Sequence, residues 1–298
     1  MATLSAILVD GVIYASWLLI VALGLTLIYG VMKILNIAHG SLYALGAYAA
    51  AYFTGAYFAA GWPPLLGYLV LLLAAIGAGL IAGLIIERGV LRWMYGRDPV
   101  LMLLVTYSIF LILEDVIKLI WGVDPYFAWQ PYAWPGRLAI GGLTFAVYDL
   151  AMIGLAIAIG AAVWFGLKRT RQGKLLLAVI HDREISMAMG INVARLFTIT
   201  FVVGAILGAT GGAFTAPAIS VVPGIGVQVI VLAFAVVVTG GLGSIEGAAI
   251  GALVVGIARA AAVHLLPEAE LFVIYAVMSL VLAFRPQGLF GEAPARRI

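Results

Sequence analysis

The sequence has no cysteine and only three histidines, and charged residues occupy just 10% of its 298 positions. The lack of cysteine excludes disulfides and thiolate-bound metals. The histidines fall in different segments without metal-ligand spacing, and the chain has no phosphate-binding loop, zinc-protease pair or nucleophile elbow. These absences argue against an enzyme, so we expect no catalytic residue, no metal and no cofactor.

Apolar residues are correspondingly abundant. They make up 65% of the chain, and the mean hydropathy is +1.19. Several apolar runs exceed the roughly 18 residues that indicate a membrane-spanning helix. The 36 glycines fit this class, because small residues let helices approach closely in lipid. We therefore expect an all-α, polytopic transmembrane bundle, with residues 1–298 in a single transmembrane domain.

Nine apolar segments are recognisable. They are Val9–Val31, Ile37–Phe58, Pro63–Ile86, Val100–Trp121, Thr144–Leu167, Leu196–Ala216, Ile225–Gly240, Ala248–Leu266 and Leu271–Phe284. The seventh and ninth are short enough to be broken or half-inserted helices, so we expect eight to ten spanning segments. Glycines four residues apart predict close helix crossings at Gly79 and Gly83, Gly204 and Gly208, and Gly247 and Gly251.

The basic residues predict the orientation of the chain in the membrane. If the N-terminus is outside and nine segments alternate, 13 of the 16 Lys and Arg residues lie inside. The exceptions are Lys118, Arg137 and Arg259. The positive-inside rule therefore favours an outer N-terminus and a cytoplasmic C-terminus. The loop Gly122–Gly142 then lies outside, where its aromatic residues suit a membrane-interface belt or a surface for another protein.

The longest hydrophilic segment, Lys168–Arg195, lies on the inside. After Gly173 it is expected to form a short amphipathic helix that carries the charged run His181–Glu184 and stops at Gly190. Asn192 is then placed to cap the next spanning helix. Spacing alone leaves two interpretations open, an ordinary charged connector or a cytoplasmic docking platform.

Four stretches of the chain resemble a known family of membrane proteins. They are GLTLIYGVMKILNIAHGSLYALGAY (Gly24–Tyr48), MGINVARLFTITFVVGAILGATGGAF (Met189–Phe214), GGLGSIEGAAIGAL (Gly240–Leu253) and RPQGLFG (Arg285–Gly291). These stretches are similar to the LivH/LivM permeases, the membrane subunits of ATP-binding-cassette (ABC) importers for branched-chain amino acids and related small molecules. The length of the chain fits the LivH-like branch.

The resemblance implies a multi-pass, type II ABC-importer-like permease in a bacterial or archaeal plasma membrane. It also implies three kinds of partner: a second, LivM-like permease in a heterodimer, two cytoplasmic ATP-binding subunits, and an extracytoplasmic solute-binding protein. ATP would be hydrolysed on the partner subunits. Within Lys168–Arg195, the resemblance places Asp182, Glu184, Gly190 and Asn192 at the coupling contact with the ATPase.

Polar residues inside apolar segments mark candidate positions along the solute path, because polar groups at membrane depth are costly. We assign Asn36, His39, Glu114, Asp115 and Arg259 to this path. The first two head the second segment near the inner face, where capping or interhelical hydrogen bonding is the structural alternative. Family members often have amides at the positions of Glu114 and Asp115, and an acidic residue at the position of Arg259.

These charges leave other functions open. An ion- or proton-coupled secondary transporter that uses Glu114, Asp115 and Arg259 is the alternative to an ABC permease, and a non-transporting membrane scaffold is a third class. Because Glu114 and Arg259 lie at similar depths along their segments, we also expect Arg259 to pair with Glu114 or Asp115, within the chain or across the permease interface. Lys118 is the competing partner of Glu114, one helical turn away.

Cysteine labelling tests the orientation, because the natural chain has no cysteine. We predict that a membrane-impermeant thiol reagent labels Thr3→Cys and Gln130→Cys from outside. Gln172→Cys should be labelled only after the membrane is opened. Labelling of Gln172→Cys in sealed cells would reverse the topology.

Overall fold

The computed structural model describes residues 2–140 and 143–291 of the chain. These residues form thirteen α-helices, the short 3-10 helices Pro64–Leu66 and Pro267–Ala269, the π-helix Glu87–Leu91 and one two-stranded hairpin. The helices are α1 Ala2–Met32, α2 His39–Ala59, α3 Gly67–Ile86, α4 Arg92–Met94, α5 Pro99–Trp121, α6 Gln130–Ala133, α7 Val147–Arg169, α8 Arg171–His181, α9 Arg183–Ala188, α10 Val193–Thr215, α11 Ile225–Gly240, α12 Ile245–Leu265 and α13 Glu270–Phe284. The strands β1 Arg137–Ile140 and β2 Leu143–Ala146 pair antiparallel. The predicted all-α transmembrane bundle is confirmed.

Seven helical segments in the described part of the chain are long and apolar enough to cross a membrane. They contain α1, α3, α5, α7, α10, α12 and α13. The two other apolar segments expected from the sequence correspond to α2 and to α11, which has only 16 residues. The nine expected segments are thus all helical. The short seventh segment is a partial helix, as the sequence suggested.

The helices α1, α2 and α10 form the centre of the bundle, where backbone packs directly on backbone. A Cβ atom on Gly212 of α10 would overlap the carbonyl oxygen of Tyr43 on α2. A Cβ atom on Gly46 of α2 would overlap the backbone of Ala209 on α10. Only glycine leaves room for these crossings. By contrast, α7 and α13 lie at the periphery and bury few residues.

The three glycine pairs singled out in the sequence all lie at such contacts. Gly79 and Gly83 of α3 face Ile206, Ala205 and Val202 of α10. Gly204 and Gly208 of α10 face Gly24, Ile28 and His39, whereas Gly247 and Gly251 of α12 face Gly240 and Val236 of α11. The predicted close crossings are therefore confirmed.

The helix α2 begins well inside the bundle. His39, its first residue, places Nε2 3.0 Å from the carbonyl oxygen of Val21, 11 residues before the end of α1. At 1.5 Å per residue, α2 therefore starts roughly 16 Å deeper than the C-terminal end of α1, which the predicted orientation makes the inner end. The segment between them returns from Met32 towards the membrane centre without helical structure. Asn36 and His39 were expected near the inner face; for His39 this expectation is wrong, because its ring lies beside Val21, far from the end of α1.

The helix α11 also begins below the surface, on the outer half of the bundle. The chain leaves α10 at Thr215, passes the buried Pro217 and starts α11 at Ile225. Gly226 contacts the backbone of Gly40 at the start of α2. Gly226 lies 14 residues, roughly 21 Å, above the inner end of α11. The first turns of α2 and α11 therefore overlap near the middle of the bundle.

The ends of the helices fall into two groups, as alternating spans require. One end of the bundle contains a cavity of about 700 Å³, whose lining includes Lys33, Lys168, His181, Glu246 and Gln287. Arg97 and Arg183 join Lys33 around a second cavity of about 330 Å³. Lys33, Arg97, Lys168 and Arg183 thus share one end of the bundle, but the side of the membrane that this end faces stays a prediction. Arg296 and Arg297 lie outside the described residues.

The opposite end carries the aromatic loop expected there, of which residues 141 and 142 lie outside the described residues. Tyr126 pairs through its backbone with Val221, in the segment that leads into α11. The Tyr132 hydroxyl donates to Oδ2 of Asp149 at 2.9 Å. The pKa of Tyr132 is raised to about 12, mainly by burial and to a smaller extent by the Asp149 carboxylate. The phenol therefore stays a hydrogen-bond donor at neutral pH. The Asp149 carboxylate, in the first turn of α7, thus has a hydrogen-bond partner in the neighbouring loop.

The glycine crossings predict a specific pattern of stability. Gly212→Val should destabilise the protein by about 1–3 kcal/mol or prevent its folding, because the side chain must displace the α2 backbone. The matched control is Gly77→Val in α3, where an added Cβ meets no atom within 4 Å. The melting temperature of the detergent-purified protein measures both effects. Equal melting temperatures for the two variants would contradict the crossing.

Candidate solute path and coupling region

Glu114 of α5 lies at the start of the partial helix α11. Its side chain is only 7% exposed, and Oε2 accepts a hydrogen bond from the backbone N–H of Gly224 at 3.1 Å. The first N–H groups of a helix have no partner within the helix and carry partial positive charge, so a carboxylate stabilises them. Glu114 therefore caps α11 from a neighbouring helix. The sequence found this residue as an intramembrane charge but not its role as a cap.

Asn36 is completely buried in the non-helical segment before α2. Neither atom of its amide group has a hydrogen-bond partner among the residues that the structure describes. The backbone on both sides is held by Thr106 of α5, whose Oγ1 donates to the carbonyl oxygen of Leu35 at 3.1 Å and accepts from the N–H of Ile37 at 3.4 Å. Asn36 and Thr106 thus place polar side chains among the buried residues between α2 and α5.

Arg259 contacts residues other than the partners expected for it. It forms an ion pair with Glu270 at the start of α13, and its guanidinium carbon lies 3.7 Å from the centre of the Tyr14 ring. The expected pairing with Glu114 or Asp115 is not formed within the chain. The physical reason is local: α12 and α13 are joined by a short turn, so Glu270 is brought back alongside Arg259. Arg259 therefore belongs to the packing of α1, α12 and α13.

Asp115 and Lys118 lie on the outer surface of α5. Their side chains are 75% and 42% exposed, and Lys118 Nζ lies 3.1 Å from Asp115 Oδ1. Lys118 thus pairs with Asp115, so the alternative pairing with Glu114 is also not formed. Glu114 and Asp115 are neighbours in sequence, but they point about 100° apart because α-helical residues turn by that angle. One carboxylate is buried and one is exposed.

The hydrophilic segment 168–195 forms two short helices where one was expected. α8 ends at His181, and Asp182 has an extended backbone. The Asp182 carboxylate accepts from the N–H of Ile185 at 2.9 Å and so begins α9. The expected continuous helix through His181–Glu184 is therefore wrong, because Asp182 acts as a cap. Ile185, Met187 and Met189 are exposed on this segment.

The exit from the two short helices follows the sequence prediction. Gly190 has a φ of 80°, the left-handed conformation that favours glycine, and it ends α9. Asn192 Oδ1 accepts from the N–H of Arg195 at 3.0 Å and so caps α10. Both expected local roles are thus present. Any contact of Asp182, Glu184, Gly190 or Asn192 with another subunit stays a prediction.

Glu246 was missed as part of this region by the sequence analysis. Its carboxylate accepts from Lys168 Nζ at 2.7 Å and from Trp164 Nε1 at 3.2 Å. These contacts tie the inner end of α7 to the first turn of α12. The only sequence signal was the glycine-rich turn before Glu246, which predicts a helix start but gives no partner. The ion pair of Lys168 with Glu246 thus joins the start of the hydrophilic segment 168–195 to α12.

A comparison with protein families matches residues 7–282 to the family described as "Branched-chain amino acid transport system / permease component". The chain belongs to this family. It is therefore a permease component of a membrane transport system, and the LivH-type resemblance is confirmed.

Curated relatives align along nearly the whole chain. The high-affinity branched-chain amino acid transport permease BraD of Pseudomonas aeruginosa is 29% identical over 98% of this chain and 97% of its own length. LivH of Escherichia coli strain K12 is also 29% identical, over 97% of this chain and 96% of its own. A probable LivH of Methanocaldococcus jannaschii is 27% identical over 96% and 92%.

A solved structure supports the fold alone. PsaBC from Streptococcus pneumoniae, in complex with a Fab, superposes with a TM-score of 0.50 over 94% of this chain and 92% of that one. The sequences are only 13% identical. The similarity therefore indicates a shared arrangement of helices.

The cap on α11 predicts different effects for two changes at one position. Glu114→Ala leaves the Gly224 N–H unpaired in a buried site and should cost about 1–3 kcal/mol of stability. Glu114→Gln keeps an oxygen that accepts this hydrogen bond and should lose much less. Melting temperatures of the purified variants measure the difference. If alanine and glutamine are equally tolerated, the hydrogen bond to Gly224 does not hold α11 in place.

Proposed function

We propose that this chain is a permease subunit of an ATP-driven ABC importer for branched-chain amino acids or related small amino acids or amides. The family match over residues 7–282 carries the proposal. Relatives from a bacterium and from an archaeon, both named for branched-chain amino acid transport, support it. A soluble extracytoplasmic protein would deliver the solute, and the chain would be oriented with its N-terminus outside. The secondary-transporter alternative is not favoured by this family.

The partners follow from what the chain itself lacks. No phosphate-binding loop occurs in the sequence, so ATP must be bound by other subunits. We expect two ATP-binding subunits on the cytoplasmic face and a second, LivM-like permease beside this one in the membrane. The exposed polar side chains of α5 support a partner in the membrane, because lipid does not solvate them.

The coupling region would be α8, α9 and the turn to Asn192. Exposed apolar side chains at Ile185, Met187 and Met189 stand beside the charges of Asp182 and Glu184. Such a mixture suits a protein interface better than open solvent. A displacement of α9 would be transmitted to α10 through the turn formed by Gly190 and Asn192. It would be transmitted to α12 through α8 and the ion pair of Lys168 with Glu246. The first route leads to the centre of the bundle, and the second leads to α12, which packs against α1.

The solute path would run beside α5, where Glu114 and Asp115 lie at the level of the α11 start. Asn36 and His39 would support the path from within, because both are completely buried. Arg259 has a weaker claim, since Glu270 and Tyr14 already contact its guanidinium group.

Reconstitution tests the function directly. The chain is placed in liposomes with its second permease and ATPase subunits, and the binding protein is added outside with labelled L-leucine. We expect uptake that requires ATP inside the liposomes and the binding protein outside. Uptake driven by a proton or sodium gradient without ATP would support the secondary transporter and overturn the proposal.

Gly190 tests the coupling region. Gly190→Leu places a branched side chain at φ 80°, at a cost of about 1–2 kcal/mol, and should tilt α9. We expect ATP hydrolysis to continue while L-leucine uptake falls at least tenfold. Gly190→Asn is the matched control, because asparagine tolerates this conformation, and it should retain most of the uptake. Normal uptake by Gly190→Leu would exclude a coupling role for this turn.

A further inference from the structure

The helix α5 presents three different sides. At about 100° per residue, one side carries residues that are buried against the bundle and is called here the anchored side. It consists of Met102, Thr106, Ile109, Phe110 and Ile117. The second, called the polar side, consists of Leu104, Tyr107, Ser108, Leu111, Asp115 and Lys118, so it carries every polar side chain of the exposed surface of α5 together with two leucines. The third, called the apolar side, consists of Leu101, Val105, Ile112, Val116 and Leu119.

Only the anchored side is needed to attach α5 to this chain. Thr106 holds the segment before α2, and the Phe110 carbonyl oxygen accepts from Ser41 Oγ at 3.2 Å. Glu114, at the edge between the anchored and polar sides, holds the start of α11. The remaining two sides of α5 are largely exposed, so their surroundings must come from outside the chain.

The polar and apolar sides differ in the surroundings that they tolerate. The apolar side matches lipid chains. The polar side does not, because Asp115 is 75% exposed and lies 6 residues, roughly 9 Å, below the outer end of α5. A carboxylate is too short to reach the surface over that distance, and charges at this depth face protein or water.

The position of the polar side also points to the solute path. Its neighbour Glu114 caps α11 at a helix start that lies inside the membrane, the arrangement in which transporters build their central sites. On the same stretch of α11, Gln228 and Val227 are exposed. Polar groups from two helices are thus left uncovered at one level of the bundle.

We propose that the polar side of α5 lines the water-filled solute path between this chain and the second permease, and that Asp115 and Lys118 contact the charged groups of the solute. The proposal rests on the function proposed above. A free amino acid carries an ammonium and a carboxylate group on neighbouring atoms. Asp115 offers the partner for the ammonium group and Lys118 for the carboxylate, at the 3.1 Å separation of a closed pair.

A zwitterionic solute suits this pair for an electrostatic reason. Asp115 and Lys118 neutralise each other while the path is empty of solute, which keeps the cost of two charges in the membrane low. A solute of matching charge arrangement exchanges one ion pair for two. Its net charge of zero leaves the balance of the site unchanged.

Thiol labelling tests the orientation of α5 without requiring any solute. Leu111→Cys on the polar side and Ile112→Cys on the apolar side form a matched pair, because both native side chains are exposed, at 46% and 61%, and lie at the same depth. The labelling rates are measured in the assembled transporter with ATP and without it. In one of these two states, a charged methanethiosulfonate should modify Leu111→Cys at least tenfold faster than Ile112→Cys. Comparable rates for the two cysteines in both states, or faster labelling of Ile112→Cys, would overturn the proposal.

Uptake of L-leucine tests the charged pair. Asp115→Asn and the double change Asp115→Asn with Lys118→Gln should each lower uptake at least tenfold in liposomes, with copurification of the ATPase subunits retained. Asp124→Asn, the same change in the exposed outer loop, is the control and should leave uptake unchanged. If the double change restores uptake, the two charges merely neutralise each other and the proposed contact with solute is wrong.

The two experiments separate this proposal from the proposed function. If no variant of the chain, including the natural one, imports L-leucine while Leu111→Cys labels selectively, the path is supported and the solute assignment fails. If the natural chain imports L-leucine while both cysteines label alike, the importer stands and the α5 path fails.

Discussion

The direct contact of α10 with α1 and α2 through glycine is the constraint on which the rest of the bundle depends. Gly24 lies against Gly204, and Gly46 and Gly212 lie at the crossing of α2 with α10. In lipid, helices gain little from hydrophobic burial, so close van der Waals packing must hold them. The same contact leaves room for the His39 ring between Gly24 and Gly208. It thereby fixes where α2 begins.

Two helix starts inside the membrane follow from this arrangement, and α5 serves both. Backbone groups exposed at such breaks need partners, because lipid provides none. Thr106 of α5 contacts the segment before α2, and Glu114 of α5 caps α11. A shift of α5 would therefore act on both breaks at once. This dual attachment gives a physical route by which a change at the proposed interface with a second permease would alter the centre of the bundle.

The sequence predicted the helical class, the nine segments and the glycine crossings, because length, hydropathy and small-residue spacing are local properties. Gly190 and Asn192 were predicted for the same reason, since each acts within one turn of the chain. The partners of Glu114, Arg259 and Glu246 were not predictable. Charge and depth restrict the possible partners, but contacts with Gly224, Glu270 and Lys168 depend on which helices become neighbours. Asp182 was misassigned because a capping carboxylate and a helical surface charge have the same local pattern.

The helices α2 and α11 begin inside the bundle and are held there by α5, whose polar side is proposed to border the solute path. A structure of the assembled transporter in a lipid nanodisc would show where both helix starts lie and what covers this side of α5. We expect Gly40 to contact Gly226 near the membrane centre, with water or solute against Leu111 and Asp115. Ordered lipid chains along that side of α5, or an α2 helix that continues to the inner surface, would show that this arrangement is wrong.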